Sequence, residues 1–149
     1  MRRFIHDAEQ LLPKPLEIAF AFFSDPGNLQ RITPPWLEFE ILALNDTEMR
    51  AGLLIDYRLR IHGIPVRWQS EITIWDPPHR FVDEQRRGPY RLWIHDHTFE
   101  ARGSDTLVRD HVQYAVHGGV LAQKLFVERD VGRIFEFRQQ KLEEIFATA

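Results

Sequence analysis

The chain has no cysteine, so disulfides, thiolate zinc sites and cysteine nucleophiles are excluded at once. It also lacks an apolar run long enough to span a bilayer and a signal-peptide pattern at its start. Those absences read as a soluble, cytoplasmic protein with no membrane span. Charge of one sign is missing too. Nineteen Lys and Arg are scattered among 22 Asp and Glu, for a net charge of −3, and no basic stripe offers itself to nucleic acid. There is no glycine-rich phosphate loop, no GxSxG elbow, no internal repeat and no linker. At 149 residues, the expectation is one domain, 1–149, able to bury a core unaided.

Aromatic rings are plentiful: 12% of the chain, with eleven Phe and four Trp. In so small a domain this implies an aromatic core or a cavity lined with rings. Residues 3–12 read as a strand, stopped by Pro13 and Pro15. Leu16, Ala19, Phe20 and Phe23 have the spacing of a short helix with one buried face. Asp25-Pro26 reads as an N-cap and first-turn proline, opening a second helix to about Ile32. Thr33 to Trp36 should be extended, and Leu37 to Leu44 should be a strand.

Period-two patterning follows. Leu53, Ile55, Tyr57, Leu59 and Ile61 share one face. A two-residue turn at His62-Gly63 pairs Leu59 with Val66, Tyr57 with Trp68 and Ile55 with Ser70. The turn at Asp76–His79 sets Ile74 opposite Phe81, and a connection at Gly88-Pro89-Tyr90 carries Asp83 opposite His95. A turn at Gly103-Ser104 then places Phe99, His97, His95 and Trp93 against Val108, Asp110, Val112 and Tyr114. Two imidazoles and a carboxylate thus share one face inside an apolar frame. After His117-Gly118-Gly119, a long helix runs from Val120 to about Phe146. Its stripe is Val127, Val131, Ile134, Phe135, Leu142 and Ile145, with Arg138 inside it. Asp130 and Glu136 are among the residues assigned to its wet side.

This order predicts an α+β architecture, an antiparallel sheet of about seven strands curved around the final helix. One helix cannot fill such a sheet, so a cavity should remain between them, with the two short helices at its mouth. The segments ITPPW, WQSEITIW, FVDEQRRGPYRLWIHDHTFE, DTLVRDHVQY and IFEFRQQKL, in this element order, resemble the SRPBCC or START-like superfamily. Within it, the chain is similar to bacterial polyketide cyclase/dehydrase-like ligand-binding proteins. The resemblance covers the whole chain and implies the helix-grip (START-like, Bet v 1-like) fold. It does not fix a function, because that superfamily spans lipid carriers, receptors, cyclases and oxygenase domains.

For His95, His97, Asp110 and Asp83, three readings compete. They form a hydrogen-bonded cluster that sets register, a polar anchor for a ligand headgroup, or a nitrogen-and-oxygen metal set. The expectation carried forward is a metal-free network facing the cavity, with no cofactor. The partner is a small, mainly apolar molecule, lipid-like or polyketide-like. Ligand contacts are assigned to Trp68, Asp83, Trp93, His95, His97, Asp110, Tyr114 and Arg138. The alternatives are an acid–base cyclase or dehydratase using His95, His97 and Asp110, and a filled-core interaction domain. Arg138, being buried, needs a partner: Asp83, Asp110 or an acidic ligand.

Overall fold

In the computed structural model of the chain, which describes residues 1–147, strand β1 (Phe4–Leu12) leads into helices α1 (Leu16–Phe23) and α2 (Pro26–Arg31). A 3₁₀ turn at Pro35–Leu37 precedes β2 (Glu40–Leu44), β3 (Leu54–Ile61), β4 (Ile64–Asp76), β5 (Arg80–Arg87), β6 (Leu92–Arg102) and β7 (Asp105–Ala115). The chain ends in a 29-residue helix. It comprises α3 (Gly119–Ala122), a π-helical segment Gln123–Val127 and α4 (Glu128–Ala147). The seven strands form one antiparallel sheet in the order β1-β7-β6-β5-β4-β3-β2. The two short helices carry the chain from one sheet edge to the other, and a meander of hairpins brings it back beside β1. No helix among the described residues is long and apolar enough to cross a membrane.

Local chemistry accounts for the element boundaries. The Asp25 carboxylate accepts from the Gly27 N–H at 2.9 Å, with Pro26 in the first turn of α2, which satisfies a helix-end donor. His62 and Gly63 both adopt positive φ, 50° and 79°, as a hairpin turn matching the strand twist requires. The expected pairs Leu59–Val66, Tyr57–Trp68 and Ile55–Ser70 all form. So do Asp83–His95 and the four pairs from Phe99–Val108 to Trp93–Tyr114.

Three expectations need correction. Pro35–Leu37 is not extended but a 3₁₀ turn, and Glu38 takes a left-handed φ of 46°. The strand expected from Leu37 therefore begins at Glu40. A register shift between Ile72 and Ile74 inserts one residue into β4, so that Trp75, not Ile74, faces Phe81. A bulge of this kind turns the next side chain to the other face, and Ile74 is exposed while Ile72 is buried. The final helix starts one residue early, at Gly119, and loosens into π geometry at Gln123–Val127.

The core is divided by its polar residues. Phe99, Val108, Leu142 and Phe146 pack with α1 and Leu12 in one apolar cluster. Val112, Tyr114, Val131 and Phe135 form a second. Between them, in register on β6, β7 and α4, lie His95 and His97, Asp110, and Arg138. All four are buried. The polar cluster sits where the helix crosses the middle of the sheet.

Candidate functional site

The inner faces of β5, β6 and β7 present Asp83, His95, His97 and Asp110, because alternate residues of a strand share a face. Backbone register pairs Asp83 with His95 and His97 with Asp110. The side chains cross over. His95 Nε2 lies 2.7 Å from Asp110 Oδ1, and His97 Nε2 lies 2.6 Å from Asp83 Oδ2. The direct-register contacts are longer: 3.9 Å from His95 Nδ1 to Asp83, and 3.4 Å from His97 Nδ1 to Asp110 without hydrogen-bond geometry. Sheet twist brings diagonal neighbours into reach of long side chains. The two rings stack with centroids 3.6 Å apart and planes 24° apart, and Phe81 stacks on His97 at 4.0 Å.

Arg138 reaches down from α4. Its guanidinium approaches Asp110 Oδ1 at 3.4 Å and lies over the rings of Phe23 and Phe135. Burial pushes both carboxylates up. Arg138 and the two imidazoles outweigh it at Asp110, which is held well below the usual carboxylate range. At Asp83 the bond from His97, with the charges around it, also gives a net lowering. Burial drives the His95 imidazole down to about 4, helped by its neighbour His97. His97 is subject to the same burial, but its two carboxylate neighbours raise it overall. At neutral pH Asp83 and Asp110 are therefore anionic and His95 is neutral with Nε2–H donating to Asp110, while the two carboxylates favour the charged form of His97.

These opposite shifts predict a maximum in stability near the ordinary histidine value. Below pH 6.5 the unfolded chain takes up a proton that His95 refuses down to about pH 4, so stability falls with pH. Above pH 6.5 the unfolded chain loses the proton that His97 retains, so stability falls as pH rises through the folded value. Urea midpoints at pH 4.5, 6.5 and 8.5 check this. The acid-side loss should be on the order of a few kcal/mol. Asp110→Asn removes a charge that raises both imidazoles, so it should weaken the alkaline-side loss and leave the acid-side loss at least as large.

Donor atoms of Asp83, His95 and His97 also lie within 4.8 Å of one another, the set a divalent ion would use. Nearly parallel rings, however, aim their nitrogens side by side rather than at one point.

Between this cluster, the helix and the strands β3–β6 lies a cavity of about 510 Å³. Of the residues assigned to ligand contact, Trp68, Asp83, Trp93, His95, His97 and Arg138 line it; Asp110 and Tyr114 do not. Asp110 is bonded to His95 and approached by Arg138. The Tyr114 ring packs on Phe4 and Trp93, and its hydroxyl accepts from Gln123 Nε2 at 2.7 Å. The lining also includes Leu29 of α2, Ile32 and Trp36, and two residues that sequence patterns left on the surface. These two, His62 on the β3–β4 turn and Asp130 on α4, meet at 2.8 Å. They are 68 positions apart, and nothing in the local pattern pairs them. Also beyond sequence reading is a bonded chain next to the cluster: Trp68 Nε1–H donates to Ser70 Oγ at 3.0 Å, and Tyr57 Oη shares a hydrogen bond with Ser70 Oγ at 3.3 Å.

Similar folds are known. A protein from Thermus thermophilus superimposes with a TM-score of 0.71 at 20% identity, covering 97% of this chain and 99% of its own. One from Chromobacterium violaceum gives 0.77 at 13% identity, covering 98% and 99%. A ginseng major latex-like protein from Panax ginseng gives 0.70 at 14% identity, covering 97% of each. At such identities the likeness is one of fold. The sequence matches no curated protein. A family model described as polyketide cyclase / dehydrase and lipid transport matches residues 12–143. By that match, and by the helix-gripping sheet it accompanies, the chain belongs to the polyketide cyclase / dehydrase and lipid transport family.

Proposed function

We propose that the protein binds a small, mainly apolar molecule in the cavity between the sheet and the C-terminal helix. The observation that carries this reading is the cavity's character. About 510 Å³ is walled by rings, including Phe22, Trp36, Phe39, Tyr57, Trp68 and Trp93, with one group of polar side chains, Asp83, His95, His97 and Arg138, set together in its lining. That is the size and composition of small-molecule sites, in which apolar walls supply affinity and a few polar groups fix orientation. An open volume of this size argues against a filled-core interaction domain.

Titration with N-phenyl-1-naphthylamine tests the proposal. Probe fluorescence should rise saturably while tryptophan emission is quenched. Ile134→Trp, which adds bulk to the cavity wall from α4, should abolish the signal at a stability cost of about 1–3 kcal/mol. Absence of saturable binding, or undiminished binding in the folded Ile134→Trp protein, would reject it.

A second reading is favoured by one feature. His95 is oriented by Asp110 through Nε2 and lines the cavity, the geometry of a general base, although a pKa pushed down to about 4 makes it a weak one at neutral pH. Cyclisation, dehydration or isomerisation would need no other nucleophile. Turnover of polyketide-like substrates that is lost in His95→Gln, with probe binding retained, would support the enzyme. Binding without turnover would leave the carrier.

A further inference from the structure

What the cavity accepts, given the ligand-binding reading above, follows from a count of protons. Trp68, Tyr57 and Ser70 carry three donors: one N–H and two O–H groups. Only two hydrogen bonds join them, Trp68 to Ser70 at 3.0 Å and one between Tyr57 and Ser70 at 3.3 Å. Whichever hydroxyl donates in the second bond, one O–H is left over. Tyr57 and Ser70 both line the cavity, so that spare donor belongs to the cavity wall.

The neighbouring strand presents the opposite need. Asp83 accepts from His97 through Oδ2, and among the described residues its Oδ1 accepts nothing. His95 Nδ1 likewise makes no hydrogen bond among the described residues, Asp83 Oδ2 lying 3.9 Å away. Ser70 and Asp83 are diagonal neighbours on β4 and β5, since Ser70 faces Gln85 and Ile72 faces Asp83. No hydrogen bond closes the gap between them. A spare donor on one side and spare acceptors on the other describe a site for a group that both accepts and donates.

We propose that the cavity selects neutral, hydroxyl-bearing aromatic molecules, the hydroxyl accepting from the Tyr57–Ser70 pair and donating to Asp83 or to His95 Nδ1. A carbonyl would satisfy only the donor. An ammonium would satisfy only the acceptors and would lie beside the Arg138 guanidinium, which lines the same cavity. A carboxylate would face Asp83, while of the two arginines lining the cavity Arg138 already faces Asp110 and lies over Phe23 and Phe135, and Arg133 lies over Trp36. With the buried charges already paired, an ionic ligand would be desolvated without a matching counter-charge. The aromatic preference comes from the wall beside Ser70. Tyr57 and Trp68 stack at 5.8 Å and 17°, and Trp93 and Tyr90 meet Trp68 edge-on at 5.5 and 5.6 Å. All four line the cavity, an aromatic surface on which a fused ring can stack or meet ring edges.

The test is a calorimetric titration of the whole protein with 2-naphthol, 2-methylnaphthalene and 2-naphthoate, which share one skeleton. The expected result is 2-naphthol binding about tenfold tighter than 2-methylnaphthalene, as for one well-placed hydrogen bond, with 2-naphthoate weakest. The double variant Tyr57→Phe/Ser70→Ala, which removes both hydroxyls, should reduce the naphthol preference and leave 2-methylnaphthalene unchanged. Should that variant not fold, the ligand series on the native protein decides alone. Equal binding of 2-naphthol and 2-methylnaphthalene overturns the hydroxyl selection while leaving the apolar-carrier reading intact. Tightest binding of 2-naphthoate overturns it in favour of an acidic ligand. Failure of all three to bind sinks both readings together.

Discussion

Replacing Asp110 with Ala should destabilise the protein by about 3–5 kcal/mol, the loss seen when one partner of a buried ion pair is removed. Asp110 Oδ1 is where the cluster converges. It accepts from His95 at 2.7 Å, lies 3.4 Å from His97 Nδ1 and is 3.4 Å from Arg138. Loss of the carboxylate strands the His95 donor, which alone would cost about 1–3 kcal/mol. It also leaves the buried Arg138 facing no carboxylate at this position, which is why the larger figure applies. Asp110→Asn keeps the volume and one acceptor oxygen, so its cost should be clearly smaller. Urea unfolding at neutral pH measures both. A loss under about 1 kcal/mol for Asp110→Ala would mean that the cluster is not the buried, mutually dependent network described here.

Phe135→Ala should cost a similar amount, about 3–5 kcal/mol, as for a large aromatic removed from a core. The ring is buried on α4 among Val112, Tyr114 and Val131. It packs on the His6 ring of β1 at 4.7 Å and also touches the polar cluster, with His95 at 5.5 Å and the Arg138 guanidinium 5.7 Å from its centroid. Its removal therefore loses apolar burial and opens the low-dielectric wall around the charges at once. Because the two mutated residues share Arg138 and His95, the double variant should lose less than the sum of the single losses. A Phe135→Ala change within experimental error would show that the helix does not grip the sheet as described.

Much of this arrangement was legible in the chain, for definite reasons. Two-residue turns at His62-Gly63 and Gly103-Ser104 set the register of four strands, so Tyr57–Trp68 and His97–Asp110 followed by counting. Arg138 stood three residues after Phe135 and four before Leu142, on the same helical stripe, and its partner proved to be one of the two carboxylates expected. Register, however, describes the backbone. The exchange of partners, His95 to Asp110 and His97 to Asp83, depends on how far the sheet twists, which alternation does not encode. The bulge at Ile72–Ile74 left no glycine or proline to mark it. The contact of His62 with Asp130 arises only when the hairpin tip folds over the helix. Gly88 shows a subtler demand: Gln85 fills its side-chain space, bracketing Tyr90 through both its N–H and its carbonyl. A residue that reads from sequence only as part of a connection is there for room.

A ligand held between the aromatic wall and the polar cluster can be read from four signals. The protein has four tryptophans. Trp36, Trp68 and Trp93 line the cavity, whereas Trp75 packs outside it against Phe20 and Phe81. In a ¹H–¹⁵N spectrum followed through a 2-naphthol titration, the indole N–H signals of Trp36, Trp68 and Trp93 should move together to saturation while that of Trp75 stays in place. Four stationary signals, or Trp75 moving as far as the others, would contradict a ligand bound in this cavity.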